Sequence, residues 1–329
     1  MRSDSVSAVT QTDCIDHLNP LNKSAMPINI TVKHARLPHG LVYYYQHWIP
    51  QDPKALVVYV HGLGDHIGRY NKLVNRLVEH GAACALYDQR GHGRSEGRRG
   101  HVERFMDWVD DLASFVHFSR GEVSPETPVF IVGSSLGALI GINYLLTHAA
   151  PVSGMVALSA ALVPTVRIPV WKRNLGLKLA RLMPTLSIHN GIRIEDLTRD
   201  QAEIEALSAD TLFHHRLTLW AGQEILRNVE LADALACRIH APMLMLAGSD
   251  DGICDPQGTV NFARALASRE RCQHIYPGMY HDLLHDIGKE QVIEDVAGWI
   301  LEMAARVTPA DGQYALNRRE PLWENVSLP

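Results

Sequence analysis

Cysteine is sparse. The five residues, Cys14, Cys84, Cys237, Cys254 and Cys272, are odd in number and scattered, with no C-x-x-C pair. That excludes a disulfide framework or a zinc ribbon as the organising device and points to a reducing compartment. Long apolar runs are missing too. No stretch reaches the ~18 uninterrupted apolar residues of a membrane span. The opening residues MRSDSVSAVTQTDCIDHLNP have no apolar core of the kind a secretory signal carries, so a cytoplasmic location is expected. Positive charge is not in excess. Lys and Arg number 31 against 36 Asp and Glu, a formal charge of −5, and the one basic cluster, RGHGRSEGRRGH at 90–101, reads as a solvated loop. Nucleic acid is therefore not an expected partner. No internal repeat or low-complexity tract is visible.

What is present is enough apolar sequence for a packed core, 46% of residues against 20% charged. INITVKHARLPHGLVYYYQHWIP (28–50) holds two β-rich runs around Pro-His-Gly, a hairpin pattern. Short continuous apolar runs follow: ALVVYV (55–60), AACALYD (82–88), PVFIVG (128–133), VSGMVALSA (152–160) and PMLMLAG (242–248); RCQHIYP (271–277), not continuously apolar, continues the strand–helix alternation. Runs of this length without alternation predict strands buried on both faces. Helical spacing separates them. In NKLVNRLVEHG, Leu73, Val74, Leu77 and Val78 share one face and Gly81 suits the C-terminal cap. Further helices are expected over 102–120, 136–148, 257–268 and 290–306. Repeated strand–helix units predict an α/β fold, a mostly parallel sheet covered by helices on both faces.

The alternation breaks once. Residues 161–235 read as helices and loops with no strong strand, an inserted helical cap. The expected division is a loose arm over 1–27, a first part of the core over 28–160, the cap over 161–235, a second part of the core over 236–306, and a tail over 307–329.

Two adjacent serines in IVGSSLGA raise the question of a nucleophile. Gly133, Ser135 and Gly137 fit G-x-S-x-G, and Ser134 does not. The motif follows a buried strand and opens a helix, the context of a nucleophile elbow. Glycines are needed where the turn leaves no room for side chains, and the helix N-terminus offers N–H groups to a developing oxyanion. A serine needs a base, and the base an orienting acid, which in such a fold follow in the order Ser, acid, His. PMLMLAG runs into SDDGICDP and HIYPG into MYHDLLHD, so a carboxylate and a histidine leave the same sheet edge as Ser135. After ALVVYV comes HGLGDHIGRY (61–70), an H-G-x-G turn that aims a backbone N–H at the substrate carbonyl. The expected oxyanion donors are the N–H groups of Leu63 and Leu136.

Two competing readings weaken on inspection. HDLLHD sets His281 and His285 four residues apart like a zinc helix, but the glutamate of H-E-x-x-H and a third ligand are missing. GLGDHIG has the wrong spacing for a dinucleotide loop and no acidic residue follows in the usual place. Neither a metal nor another cofactor is expected.

HGLGDHIGRY, DQRGHGRSEG, GSSLG, GSDDGICD and GMYHDLLHD together resemble the monoacylglycerol lipase and lysophospholipase group of α/β-hydrolases, over roughly residues 28–305. The resemblance implies an eight-stranded α/β-hydrolase core with a helical lid and no metal. It implies Ser135 as nucleophile, Asp251 rather than Asp250 as acid, and His281 rather than His285 as base. Ser134 stands where the family often has histidine. Cys254 falls where some relatives carry a cysteine near the site, and reads equally as a small buried filler. Arg69 reads as a surface charge or as a contact for a polar head group.

The expected function is a serine carboxylester hydrolase acting on monoacyl lipids or related esters through an acyl-enzyme. An aminopeptidase-like amide hydrolase of the same fold is the alternative, because a triad does not distinguish esters from amides. A dehalogenase or epoxide hydrolase would carry a carboxylate at the elbow, and a non-catalytic binding protein would be expected to have lost a triad member. In the cap, Trp171, Leu175, Leu179 and Leu182 form one helical stripe, with Lys172, Arg173, Lys178 and Arg181 off it. The stripe either packs inside the cap or faces lipid, which would give the chain a peripheral membrane contact.

Overall fold

The computed structural model describes residues 28–36, 40–148, 152–165, 176 and 178–306. The expected arm and tail, Cys14, Trp171 and Leu175 lie outside the described residues.

The hairpin runs from β1 (Ile28–Arg36) to β2 (Val42–Pro50), antiparallel, with Ile28 opposite Pro50. Then come β3 (Ala55–Val60), α1 (Asn71–Glu79), β4 (Ala82–Tyr87), α2 (Phe105–Arg120), β5 (Val129–Ser134), α3 (Leu136–Thr147) and β6 (Gly154–Leu158). After the inserted segment the alternation resumes with β9 (Met243–Gly248), a helix over Pro256–Ala265, β10 (Arg271–Tyr276) and a last helix over Lys289–Arg306. The eight strands order as β1-β2-β4-β3-β5-β6-β9-β10. β2 meets β4 antiparallel, and every pairing from β4 to β10 is parallel. This is the mostly parallel eight-stranded sheet expected.

The apolar runs are continuous because each strand feeds two cores. In β3, Leu56, Val58 and Val60 point into the layer filled by Trp108 and Phe115 of α2 and Leu139 of α3. Ala55, Val57 and Tyr59 point into the opposite layer, filled by Leu73 and Leu77 of α1 and Val296 and Ile300 of the last helix. Side chains alternate across a strand, so a strand covered on both faces has no polar positions to spare. β10, at the sheet edge, is mostly exposed. Among the described residues no helix is long and apolar enough to cross a membrane.

The inserted segment departs from the helices and loops expected. It holds a two-stranded antiparallel ladder, β7 (Ser187–His189) against β8 (Arg216–Thr218), with Ile188 opposite Leu217. Three residues each, exposed along β7, leave no apolar pattern to read. A short helix follows at α4 (Gln201–Ala209), capped by the Asp200 carboxylate, which accepts the Ala202 N–H. The next helix, α5 (Leu219–Leu235), packs on α2 and α3, with Ala221 and Ala232 in the core layer. The helices after β9 and β10 are α6 and α7.

The sheet positions the site through one close approach. α3 lies so near β3 that a Cβ on Gly137 would overlap the carbonyl oxygens of Val60 and His61, and one on Gly133 would come within 2.6 Å of the Gly137 oxygen. Gly137→Ala is therefore expected to lower stability by about 1–3 kcal/mol, the usual range for overpacking, and to lower activity by displacing the start of α3. Urea unfolding and ester turnover on the same preparation check both.

Candidate active site

Ser135 sits between β5 and α3 with φ 53° and ψ −114°, one of three described non-glycine residues with positive φ. Such a backbone is disfavoured for any residue with a Cβ and persists only where its surroundings enforce it. Here the Ser135 N–H donates to the Leu158 carbonyl at 2.9 Å, and the Ser135 carbonyl accepts the N–H groups of Leu139 and Ala161, both at 3.2 Å. The turn lifts the side chain into a pocket lined by Gly62, Leu63, Ser134, Leu158, Phe213 and His281, among others. Leu136 opens α3, so its N–H has no acceptor in the helix.

Asp251 and His281 lie on the two loops expected. Asp251 follows β9 and is buried. Its Oδ1 accepts the N–H groups of Ile253 at 2.8 Å and Cys254 at 2.9 Å, and its Oδ2 accepts His281 Nδ1 at 2.8 Å. A carboxylate on Nδ1 fixes the tautomer and leaves the Nε2 lone pair for a substrate proton. Asp250 is exposed and accepts the Ser249 hydroxyl instead. His285 turns away to Asp282 at 2.8 Å and to the Arg69 carbonyl at 3.1 Å. The fold thus brings Ser135, Asp251 and His281 together and leaves Asp250 and His285 outside the arrangement.

The H-G-x-G turn is braced from below. His61 is fully buried; its Nδ1 contacts the Gly62 carbonyl at 2.8 Å and its Nε2 accepts the Gln89 N–H at 2.9 Å. That spaces Gly62 against the elbow, where a Cβ would stand 3.4 Å from Ser135 Cβ. Two residues on, the Gly64 carbonyl accepts the His214 N–H from the inserted segment at 2.8 Å. His92 packs between His61 and His214, with ring centroids 5.3 and 5.0 Å away.

Three other candidates take different surroundings. Arg69 is not a surface charge. Its side chain is 10% exposed and reaches Asp65 at 3.2 Å and Asp282 at 2.8 Å. Ser134 lines the pocket but its hydroxyl is hydrogen-bonded to Tyr59 at 2.6 Å, and the Tyr59 ring lies tilted against Tyr70, with centroids 4.1 Å apart. Cys254 is buried beneath the Asp251 loop, where burial and the nearby carboxylate hold its thiol well above the ordinary value. Sequence reasoning missed the network to which Arg69 and Ser134 belong: Tyr59, Asp65, Tyr70 and Asp282 around Arg69, with Tyr70 donating to Asp65 and Tyr59 meeting Ser134. Asp65, Arg69, Tyr70 and Asp282 lay inside the quoted motifs HGLGDHIGRY and GMYHDLLHD, and Tyr59 in the strand run ALVVYV.

These buried groups set a pH dependence. Burial lowers the His47 and His214 values from 6.5 to about 4. Burial, then the neighbouring His61 and His214, takes His92 well below 6.5. Asp65 and Asp282 are resisted by burial, but Arg69 beside both and His285 beside Asp282 hold them below the ordinary carboxylate value. A depressed folded value means stability that is complete above the unfolded value and is lost as pH falls toward the folded one. The urea midpoint is expected to hold above pH ~7, to decline from pH ~6.5 to ~4 through the histidines, and to fall further below that through the carboxylates. His47→Gln should flatten the upper part of this decline.

Comparison with known proteins matches the geometry. A family model described as serine aminopeptidase, S33, covers residues 51–288. The chain is 29% identical to the monoglyceride lipase of Rattus norvegicus over 279 residues, 82% of this chain and 91% of that protein. It is 28% identical to the monoacylglycerol lipase of Mycolicibacterium smegmatis, over 80% of this chain and 94% of that one. An abhydrolase domain-containing protein of Dictyostelium discoideum is 30% identical over 78% of this chain, which spans only 27% of that longer protein. Among solved structures, the monoacylglycerol lipase of Paleococcus ferrophilus superposes with a TM-score of 0.73 at 30% identity, over 80% of this chain and 99% of that one. With Ser135, Asp251 and His281 all inside the matched span, the chain belongs to the serine aminopeptidase S33 family of α/β-hydrolases, in its monoacylglycerol lipase group.

Proposed function

We propose that the protein is a serine carboxylester hydrolase that cleaves monoacyl lipids, monoacylglycerols or lysophospholipids, through an acyl-enzyme. The observation that carries this reading is the Asp251–His281 hydrogen bond at 2.8 Å, facing the same pocket as Ser135. Ser135 Oγ attacks the acyl carbonyl while His281 Nε2 takes its proton. Asp251 holds the imidazole and stabilises the imidazolium that forms. The N–H groups of Leu63 and Leu136 receive the oxyanion. His281 returns the proton to the leaving alcohol, and water then releases the acid by the same route.

The pocket suits an amphiphile. Leu158, Ile192, Leu197 and Phe213 give it apolar walls, and Asp65, Arg69, Tyr70 and Asp282 give it polar ones. The ester reading is favoured over N-terminal peptide cleavage because Asp65 and Asp282 are both committed to Arg69. An α-ammonium group would need a carboxylate less fully neutralised. A panel of monoacylglycerols, lysophospholipids, short p-nitrophenyl esters and aminoacyl amides tests the reading, and fast amide cleavage with slow ester cleavage would reverse it.

The inserted segment adds a lipid-facing surface to the proposal. Leu182 is 79% exposed and Met183 52%, with Leu179, Leu186 and Ile188 exposed nearby and the cations Lys178 and Arg181 between them. Apolar side chains interleaved with cations are the composition of an interfacial contact. The protein is then a cytoplasmic enzyme that meets its substrate at a lipid surface.

Two sets of variants follow. Ser135→Ala is expected to lower kcat by about 10⁶, and Asp251→Asn and His281→Ala to be nearly inactive, whereas Ser134→Ala and Asp250→Asn keep most of the activity. Steady-state turnover on a soluble ester checks all five. Leu182→Ser with Met183→Ser should lose activity on vesicle-borne long-chain monoacylglycerol and retain it on a soluble short-chain ester. Equal loss on both substrates would reject the lipid-facing surface.

A further inference from the structure

The loop from β10 to α7 carries His281, and a buried carboxylate outside the triad holds that loop from within. Asp286 is fully buried. Its Oδ2 accepts the N–H of Tyr280, the residue before His281, at 2.8 Å. Its Oδ1 accepts the Arg199 N–H at 2.8 Å and faces the Thr198 hydroxyl at 3.2 Å. The Arg199 guanidinium closes on the carboxylate at 3.0 Å and lies over the Tyr280 ring, 5.6 Å from its centroid. Thr198 and Arg199 belong to the inserted segment, not to the core.

The same segment grips the loop at further points. The Asp282 N–H donates to the Leu197 carbonyl at 2.8 Å, and Leu197 itself lines the pocket. The Thr198 hydroxyl reaches the His285 carbonyl at 3.0 Å, and Arg199 donates to the Ile287 carbonyl at 3.0 Å. Beyond the loop, Lys289 is paired with Asp200 at 2.7 Å and Glu203 at 3.1 Å. A buried carboxylate is tolerated only while it is paired and hydrogen-bonded. Arg199 is the cation that meets Asp286. Without it the carboxylate is driven to turn toward water or other donors, and the Tyr280 N–H loses its acceptor. The imidazole one residue on must hold its place closely, since a misplacement of about 1 Å can cost about 10²-fold in rate.

We propose that Asp286 is a positioning residue for His281, and that Arg199 makes the inserted segment part of that positioning, so that alignment of the base depends on how residues 197–203 are seated. The inference rests on the reading of Ser135 as nucleophile and His281 as base.

The test compares wild type, Arg199→Ala, Arg199→Lys, Asp286→Asn and the Arg199→Ala/Asp286→Asn double variant. The readouts are kcat and KM on a soluble short-chain ester, the rate of phosphonylation by a small fluorophosphonate, and the melting temperature. Arg199→Ala is expected to lower both kcat and the phosphonylation rate about tenfold with KM within about twofold, as for lost alignment rather than lost binding. Arg199→Lys should recover part of the loss. The double variant should be no slower than Asp286→Asn alone, because both changes act through one carboxylate. Variants that melt lower but keep kcat and phosphonylation rate where fully folded would overturn the proposal. So would multiplied losses in the double variant, or a raised KM at unchanged kcat. If Asp286→Asn does not fold, Arg199→Ala and Arg199→Lys decide alone, since Arg199 is 32% exposed. Phosphonylation of a Ser135→Ala control would instead refute the nucleophile assignment, independently of Asp286.

Discussion

The site depends on a strained turn that cannot relax. Ser135 is held at positive φ by three backbone hydrogen bonds, two of them accepted by its own carbonyl oxygen, and the helix behind it is pressed onto β3 where only a glycine fits. The strain is small beside the packing that enforces it. Because α3 cannot slide on β3, the Ser135 side chain and the Leu136 N–H share one frame. The H-G-x-G turn, leaving the end of that same strand, shares it too. Ser135 and the N–H groups of Leu63 and Leu136 are thus positioned by one contact between a helix and a strand, and Asp251 and His281 need only be brought to it.

They are brought by loops, and loops need other means of support. Asp251 is fixed by two backbone N–H groups of its own turn. The His281 loop is braced within by Asp286, which accepts the Tyr280 N–H. Charged groups also hold it from outside: Asp282 to Arg69 on one side and Asp286 to Arg199 on the other. Each carboxylate is buried against an arginine from a different part of the chain, so the loop's position reports on both. Buried pairs of this kind add little net stability, since desolvation offsets the attraction. What they confer is a single geometry.

Much of this was legible in the residues. The strands that feed two cores show as unbroken apolar runs, and the elbow shows through its glycines because close backbone approach admits nothing larger. The order of Ser135, Asp251 and His281 follows from the order of the strands. What did not show were features without a periodic or compositional signal. β7 and β8 are three residues long, and β7 is exposed throughout. Arg69 resembles any solvated arginine until the chain folds Asp282, 213 residues away, against it. Ser134 sits beside the nucleophile, yet its hydroxyl is taken up by Tyr59 from a neighbouring strand. Pairings between distant side chains are decided by tertiary structure, and local sequence carries only the residue types.

The His214 N–H to Gly64 carbonyl bond has a bearing on how such enzymes can be recombined. If the inserted segment merely rested on the core, it could be traded for another. Here its main chain is bonded directly to the turn that presents Leu63, its Phe213 lines the pocket, and its His214 ring stacks on His92 of the core. A graft cut at the ends of the segment would therefore carry off one wall of the pocket and one anchor of the turn together. The natural unit of exchange is larger: the segment along with the 61–66 turn and the 88–93 loop on which it sits.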